Sequence, residues 1–201
     1  MTVFTLIFLS YLLGSIPFGF LISRFKGVDL RKAGSGNIGA TNVFRVIGKS
    51  WGLLCFALDF AKGLAAAALL PTLLLSEPLA NAGLIAGAAA IAGHNWPVWL
   101  KFKGGKGIAT SAGVLSAVAP WALLCGLIVW ILCMVLSRMV SLSSILAALA
   151  VAVGGWIFYP SEPWTLAILT ALALIAIWRH RTNIQRILKG EEHRFGVRGR
   201  G

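Results

Sequence analysis

The chain is a series of long apolar runs separated by short polar stretches. The apolar runs cover about residues 2–22, 51–75, 81–93, 108–136, 141–159 and 164–178. They are apolar all round rather than striped, as expected of helices set among lipid and other helices. The run at 108–136 is too long for one crossing, and Pro120 stands near its middle, where a proline divides a helix. The pattern therefore predicts an all-α, polytopic integral membrane protein with about seven transmembrane helices, some of them short, in a single domain spanning 1–201. Pro17 predicts a kink in the first helix.

The polar separators set the expected orientation. Arg24, Lys26, Arg31 and Lys32 follow the first run, Lys101, Lys103 and Lys106 follow the third, Arg138 stands before 141–159, and the tail from Arg179 is strongly basic. The turns at Ser76-Glu77-Pro78 and at Tyr159-Pro160-Ser161-Glu162-Pro163 carry an acid and no base. Basic loops mark the cytoplasmic side. With a break at Pro120, the N-terminus lies outside and the C-terminus in the cytoplasm; without it, the basic tail would lie outside. The segments flanking the central basic loop are about 13 residues each, or roughly 20 Å, against a hydrocarbon core of about 30 Å. Either this loop dips below the membrane surface or the short helices end against partners.

Composition narrows the reading. At 58% hydrophobic and 12% charged residues, the chain holds more apolar surface than a soluble domain buries. Its net charge of +12 is concentrated between the runs, which suits anionic lipid and an anionic substrate. A nucleic-acid partner needs a solvated basic face, which so apolar a chain does not offer. Cys55, Cys125 and Cys133 lie in apolar runs and form no disulfide framework or metal motif. The first run has no positive leading region and no small-residue cleavage site, so it reads as a retained helix rather than a signal peptide.

Three polar stretches carry the candidate chemistry. The central one runs from His94 through Lys101, Lys103, Gly104, Gly105, Lys106 and Gly107 to Thr110. Glycines permit close backbone approach, and successive bare N–H groups form a concavity for an anion. With three lysines around it, phosphate is the natural guest. The first stretch holds Gly34, Ser35, Gly36, Asn37, Gly39, Thr41 and Asn42, then Arg45. Its glycines match G-x-G-x-x-G, and Asp59 stands about 20 residues on, but no strand precedes it and Asp59 falls in an apolar run, so a dinucleotide site is rejected. What remains is a loop for a second anionic or hydroxylated group, or a turn capping the next helix. The third stretch holds Arg179, His180, Arg181, Asn183 and Arg186; His180 and Asn183 share a face if the last helix continues out of the membrane.

Asp59 and Lys62 share one helix face and are expected to pair inside the bundle. Asp59 is the one acid expected near the three stretches, so a carboxylate-held divalent metal is not expected. The central stretch is no Walker A loop, because Gly107 stands where Ser or Thr would follow the lysine. No G-x-S-x-G elbow occurs, and the fourth and fifth residues beyond His94 are Val98 and Trp99, which removes a His-x-x-x-x-Asp dyad. The residues alone reach a metal-free membrane site for one or two phosphate-bearing ligands. An anion transporter and a lipid-binding scaffold remain alternatives, the former weakened by the lack of an internal repeat.

The three stretches, in this order, resemble the three signatures of the bacterial acyl-phosphate:glycerol-3-phosphate acyltransferase family, the PlsY type. The resemblance covers the whole chain. It implies transfer of a fatty acyl group from acyl phosphate to the primary hydroxyl of glycerol 3-phosphate, giving 1-acyl-glycerol 3-phosphate (lysophosphatidic acid) and inorganic phosphate, at the first step of bacterial phospholipid synthesis. It implies no cofactor, no obligate protein partner, and a site facing the cytoplasm from the inner membrane. Ser35, Arg45, Lys106, His180 and Asn183 become the expected catalytic residues. Gly34, Gly36, Asn37, Gly39, Thr41, Asn42, His94, Gly104, Gly105, Gly107 and Thr110 become the expected substrate-binding ones. Gly104, Gly105, Lys106, Gly107 and Ser35 are assigned mainly to acyl phosphate, and Arg45, Asn42, His180 and Asn183 mainly to glycerol 3-phosphate. The base is either His180 or the donor phosphate. The cationic surroundings disfavour a protonated imidazole, so the phosphate is the expected acceptor.

Overall fold

The structure is a computed structural model that describes residues 2–77 and 79–196. It is all-helical, with no strand among the described residues. Pro78, part of the predicted outer turn, and the tail from Val197 lie outside the described residues. The chain forms two compact units, Met1–Val118 and Ala119–Gly201.

The first unit opens with α1 (Val3–Ser15) and α2 (Phe18–Phe25), which together form one apolar stretch of 23 residues. The expected kink at Pro17 is a full break. Ile16 is extended, and the backbone resumes its helical course only at Phe18. A short helix, α3 (Ala40–Val46), follows the first polar loop and takes in Thr41, Asn42 and Arg45, which the sequence places in a loop. Next come α4 (Lys49–Leu64), a π-helical stretch (Ala65–Leu69) and α5 (Leu70–Leu74), 26 apolar residues in all. The π-helical stretch precedes Pro71, which has no N–H to give to the preceding turn. Helices α6 (Ala82–Asn95) and α7 (Ile108–Val118) flank the central loop and have 14 and 11 residues. At 1.5 Å per residue they reach only about 21 and 17 Å, as the sequence predicted.

The second unit contains α8 (Pro120–Ser137), α9 (Val140–Phe158), α10 (Pro163–Arg179) and α11 (Arg181–Leu188). Pro120 begins α8, where a missing N–H costs nothing. The division of the long run at this proline is thus observed. Arg138 takes a left-handed conformation, φ 59°, to close α8 and turn the chain into α9. Among the described residues, four stretches are long and apolar enough to cross a membrane, and α10 with α11 makes a fifth, bent by 56°. Many large apolar side chains stay exposed, among them Phe4, Leu73, Leu136 and Trp164, as a lipid-facing surface requires.

Small residues let the helices approach. In the first unit α1 packs on α6 and α4 on α7. A side chain at Gly14 would overlap the backbone of Ala90, and one at Gly113 would overlap the backbone of Phe60 and Leu64. In lipid such close van der Waals contact replaces the hydrophobic drive available in water. Gly113→Leu is therefore expected to destabilise the chain by about 1–3 kcal/mol, the usual cost of overpacking. Leu127→Ala, at an exposed position on α8, should change far less. Thermal unfolding in detergent measures both; equal effects would contradict the packing argument.

Candidate functional site

The first loop is organised by Asn42, which sits on α3 and is 2% exposed. Its amide donates to the carbonyls of Ala33 at 3.0 Å and Asn37 at 2.8 Å, with a longer contact to Leu30 at 3.4 Å. Its Oδ1 accepts the N–H of Ser35 at 2.9 Å. Asn42 therefore ties the loop into a knot, and Gly34 passes over it with φ +60° where a side chain would strike that same oxygen. Asn37 adds a turn, its Oδ1 accepting the N–H of Gly39 at 3.1 Å. The effect is to hold Ser35 at the surface by its backbone while its side chain stays exposed. Arg45 is likewise exposed, one helical turn from Asn42 and on the same short helix; Thr41 is half-buried. Upstream, Asp29 caps a 3-10 turn and receives Arg31 at 2.8 Å, which holds its carboxyl down to about 2.

The central loop closes back onto α6. Gly104 N–H donates to the Asn95 carbonyl at 3.2 Å, and Gly105 N–H to the His94 carbonyl at 3.1 Å. These two N–H groups were expected to face an anion; they instead satisfy the last carbonyls of α6. Side chains at Gly104 and Gly105 would overlap the His94 carbonyl and the His94 ring respectively, so both glycines answer to packing. Lys101 and Phe102 hold left-handed conformations and, with Lys103, lie exposed, whereas Lys106 is half-buried. Gly107 has φ +82° and leads directly into α7, whose first turn carries N–H groups that no helical carbonyl precedes. In that turn Thr110 is fully buried, and its hydroxyl has no hydrogen-bond partner within the protein.

Beneath this loop lies a buried ionic cluster. Lys62 Nζ is 2.8 Å from Asp59 Oδ1, and His94 Nδ1 is 3.4 Å from the same oxygen. The pair that the sequence predicted is present, and a residue expected at the substrate joins it.

In the second unit, His180 lies at the bend between α10 and α11 and is 3% exposed. The expected continuous helix is broken there. Its Nδ1 is 2.7 Å from the carbonyl of Ala176. A carbonyl only accepts, so Nδ1 carries a proton in this contact. The backbone N–H of Asn183 donates to the His180 carbonyl at 2.8 Å, so the two residues share the first turn of α11. The Asn183 side chain donates to Glu192 Oε1 at 2.8 Å. Ser141 donates to that same oxygen at 2.8 Å, and Arg186 Nε reaches Oε2 at 2.8 Å. Asp59 is thus not the only acid among these residues. Sequence reasoning missed Glu192 because it stands in a basic tail, nine residues beyond Asn183. The one available signal was an acid pair, Glu191-Glu192, inside an otherwise basic stretch.

Two short polar loops set on apolar helices, one tied down by the Asn42 side chain and the other by the end of α6, belong to an integral membrane protein. The chain matches the Glycerol-3-phosphate acyltransferase family over residues 4–190, and it belongs to that family. It is 46% identical over 192 residues to the glycerol-3-phosphate acyltransferase of Desulforamulus reducens, covering 93% of this chain and 92% of that one. It also resembles two crystal structures of PlsY (YgiH), described as an integral membrane glycerol 3-phosphate acyltransferase. The glycerol 3-phosphate form is 42% identical with TM-score 0.88, and the lysophosphatidic acid form 41% identical with TM-score 0.84; each comparison covers 98% of this chain and 96% of the other.

The Glu192 clamp makes a pH prediction. Burial pushes the carboxyl up, but the hydrogen bonds from Asn183, Arg186 and Ser141 outweigh it and hold the group below its ordinary value of 4.5. A depressed acid contributes stability that is complete above the unfolded value and is lost as pH falls through the folded one. Wild type should therefore unfold at higher temperature than Glu192→Ala by a constant margin above about pH 5.5, and the margin should shrink as the pH falls below 4.5. A margin that does not change down to pH 3 would show that the carboxylate charge is not what ties the tail down.

Proposed function

We propose that this chain transfers a fatty acyl group from acyl phosphate to the primary hydroxyl of glycerol 3-phosphate, releasing lysophosphatidic acid and inorganic phosphate. The observation that carries the reading is the central turn: a half-buried lysine, Lys106, set between two glycines and directly before the start of α7. Membership of the acyltransferase family and the two ligand forms of the related crystal structures support it.

An acyl phosphate is a mixed anhydride with a good leaving group. No covalent enzyme intermediate is needed, and catalysis reduces to holding two anions and stabilising charge on the carbonyl oxygen. Lys106, Gly107 and the first turn of α7 with Thr110 meet the acyl phosphate, joined by the outward Ser35 hydroxyl. Gly104, Gly105 and His94 place that turn. Arg45 meets the phosphate of glycerol 3-phosphate, with Asn42, Asn37, Gly34, Gly36, Gly39 and Thr41 shaping the loop that presents it. His180, through Nε2, and Asn183 orient the acceptor hydroxyl, and the donor phosphate takes its proton. No cofactor, metal or protein partner enters the scheme. The 201 residues act as one acyltransferase unit in the bacterial inner membrane.

The basic loops further support seven crossings, with the N-terminus outside and the C-terminus cytoplasmic. The five long stretches and the shorter α6 and α7 supply the seven segments. Single cysteines replacing Lys32, Lys103 and Lys189 should each be shielded from impermeant reagents in intact cells. Labelling of any of them from outside would overturn the topology.

The reaction is tested with purified chain in detergent, acyl phosphate and glycerol 3-phosphate. Release of inorganic phosphate should depend on glycerol 3-phosphate; a transporter or a scaffold gives none. Lys106→Ala should lose at least about 10²-fold in kcat/KM, or about 2.7 kcal/mol, and Lys103→Ala far less. Equal losses would remove the distinction between them. His180→Gln should retain substantial kcat with a raised KM for glycerol 3-phosphate and keep the acidic limb of its pH profile. A flat profile with collapsed kcat at normal KM would make His180 the base.

A further inference from the structure

We infer that Asp59, Lys62 and His94 form a positioning triad that fixes the central turn carrying Lys106. The inference rests on the acyl-transfer reading for its kinetic consequence, but the geometry stands without it.

The three residues are 2%, 3% and 7% exposed, and they join three helical segments of the first unit. Asp59 and Lys62 are three residues apart on α4, and His94 stands on the last turn of α6. Lys62 Nζ lies 2.8 Å from Asp59 Oδ1 and donates to the carbonyl of Ile16 at 2.8 Å. Ile16 is the residue where α1 breaks ahead of Pro17, so its carbonyl lacks the usual helical partner. The ammonium thus adds a shorter hydrogen bond to a carbonyl at the proline break, which also accepts the Phe18 N–H at 3.2 Å. Asp59 Oδ2 receives the Cys55 thiol at 3.7 Å.

His94 links this cluster to the loop in two ways. Its Nδ1 is 3.4 Å from Asp59 Oδ1, so this edge of the ring faces the carboxylate. The opposite edge of the ring, with Nε2, lies against Gly105 so closely that a side chain there would overlap it. Meanwhile the His94 carbonyl accepts the Gly105 N–H at 3.1 Å. Ring and carbonyl therefore grip one residue, Gly105, from two directions, and Lys106 is the next residue along. A ring free to rotate would release one of these holds. Asp59 is what stops it rotating, and Lys62 is what permits a carboxylate to be buried there at all.

Removing one member of a buried ion pair leaves an uncompensated charge and destabilises the fold regardless of any positioning role. The test therefore removes both charges together. Asp59→Asn/Lys62→Met keeps a carbonyl oxygen beside His94 Nδ1; Asp59→Leu/Lys62→Met does not. The two double variants carry the same net charge and the same branched side-chain skeleton at position 59. Hydrogen–deuterium exchange of residues 101–110 in detergent reads the turn directly. Phosphate release with acyl phosphate and glycerol 3-phosphate reads its effect.

The Asn variant should match wild type in exchange and keep kcat within about threefold. The Leu variant should exchange faster at 101–110 and lose about tenfold or more in kcat, the scale expected when a positioning contact slips. Identical behaviour of the two variants would overturn the triad and leave the pair a matter of charge balance. If the Leu variant does not fold, His94→Leu against His94→Gln makes the same comparison with the Asp59–Lys62 pair intact. There, equal exchange and equal kcat would overturn the proposal. Absence of phosphate release from wild type would refute the acyl-transfer reading alone, because the exchange comparison would still decide the triad.

Discussion

A carboxylate in the apolar length of α4 is tolerable only if it is fully paired, and the first unit is arranged around that requirement. Asp59 is surrounded by the ammonium of Lys62, the imidazole of His94 and the thiol of Cys55. Satisfying it draws together the break between α1 and α2, the middle of α4 and the end of α6. The break then has a partner for the carbonyl of Ile16, and the end of α6 has a fixed ring on which the central turn is laid. Charge burial, which ordinarily penalises a helix in lipid, here joins segments distant in sequence.

The same economy of polar groups shapes both loops. In the first, one amide, Asn42, satisfies backbone groups over residues 30–37 and holds the backbone of Ser35. In the central loop, Gly104 and Gly105 hand their N–H groups to the end of α6. Each loop is rigid because its backbone bonds are closed internally. The acyl-transfer proposal relies on preorganisation of this kind, with positioned side chains and a helix start rather than a flexible ring of amides.

The second unit solves a similar problem with an acid from the tail. Glu192 gathers Ser141 from the start of α9 and both Asn183 and Arg186 from α11. The Phe195 N–H also donates to the Arg138 carbonyl at 2.7 Å. A tail that is strongly basic in sequence is therefore also a brace, tying α11 to the start of α9 and holding the Asn183 side chain.

Much of this was legible in the sequence. Continuous apolar runs and single prolines dictate helices and their breaks, because lipid forbids unpaired backbone and proline cannot continue a ladder; Pro120 divides a helix as read, and Pro17, read as a kink, makes a full break. Asp59 and Lys62 pair because their spacing puts them on one face. The glycines of the central stretch mark a tight turn, and Gly107 indeed has φ +82° there. Tertiary structure decided the rest. Nothing local says that Gly104 and Gly105 turn their N–H groups inward, since that depends on α6 ending one layer away. Nothing local joins His94 to Asp59, 35 residues earlier in the chain, or Glu192 to Ser141, 51 residues earlier. Hydrogen bonds and ion pairs act over about 3 Å, so their partners are set by which helix ends meet in space, and only packing of the helices determines that.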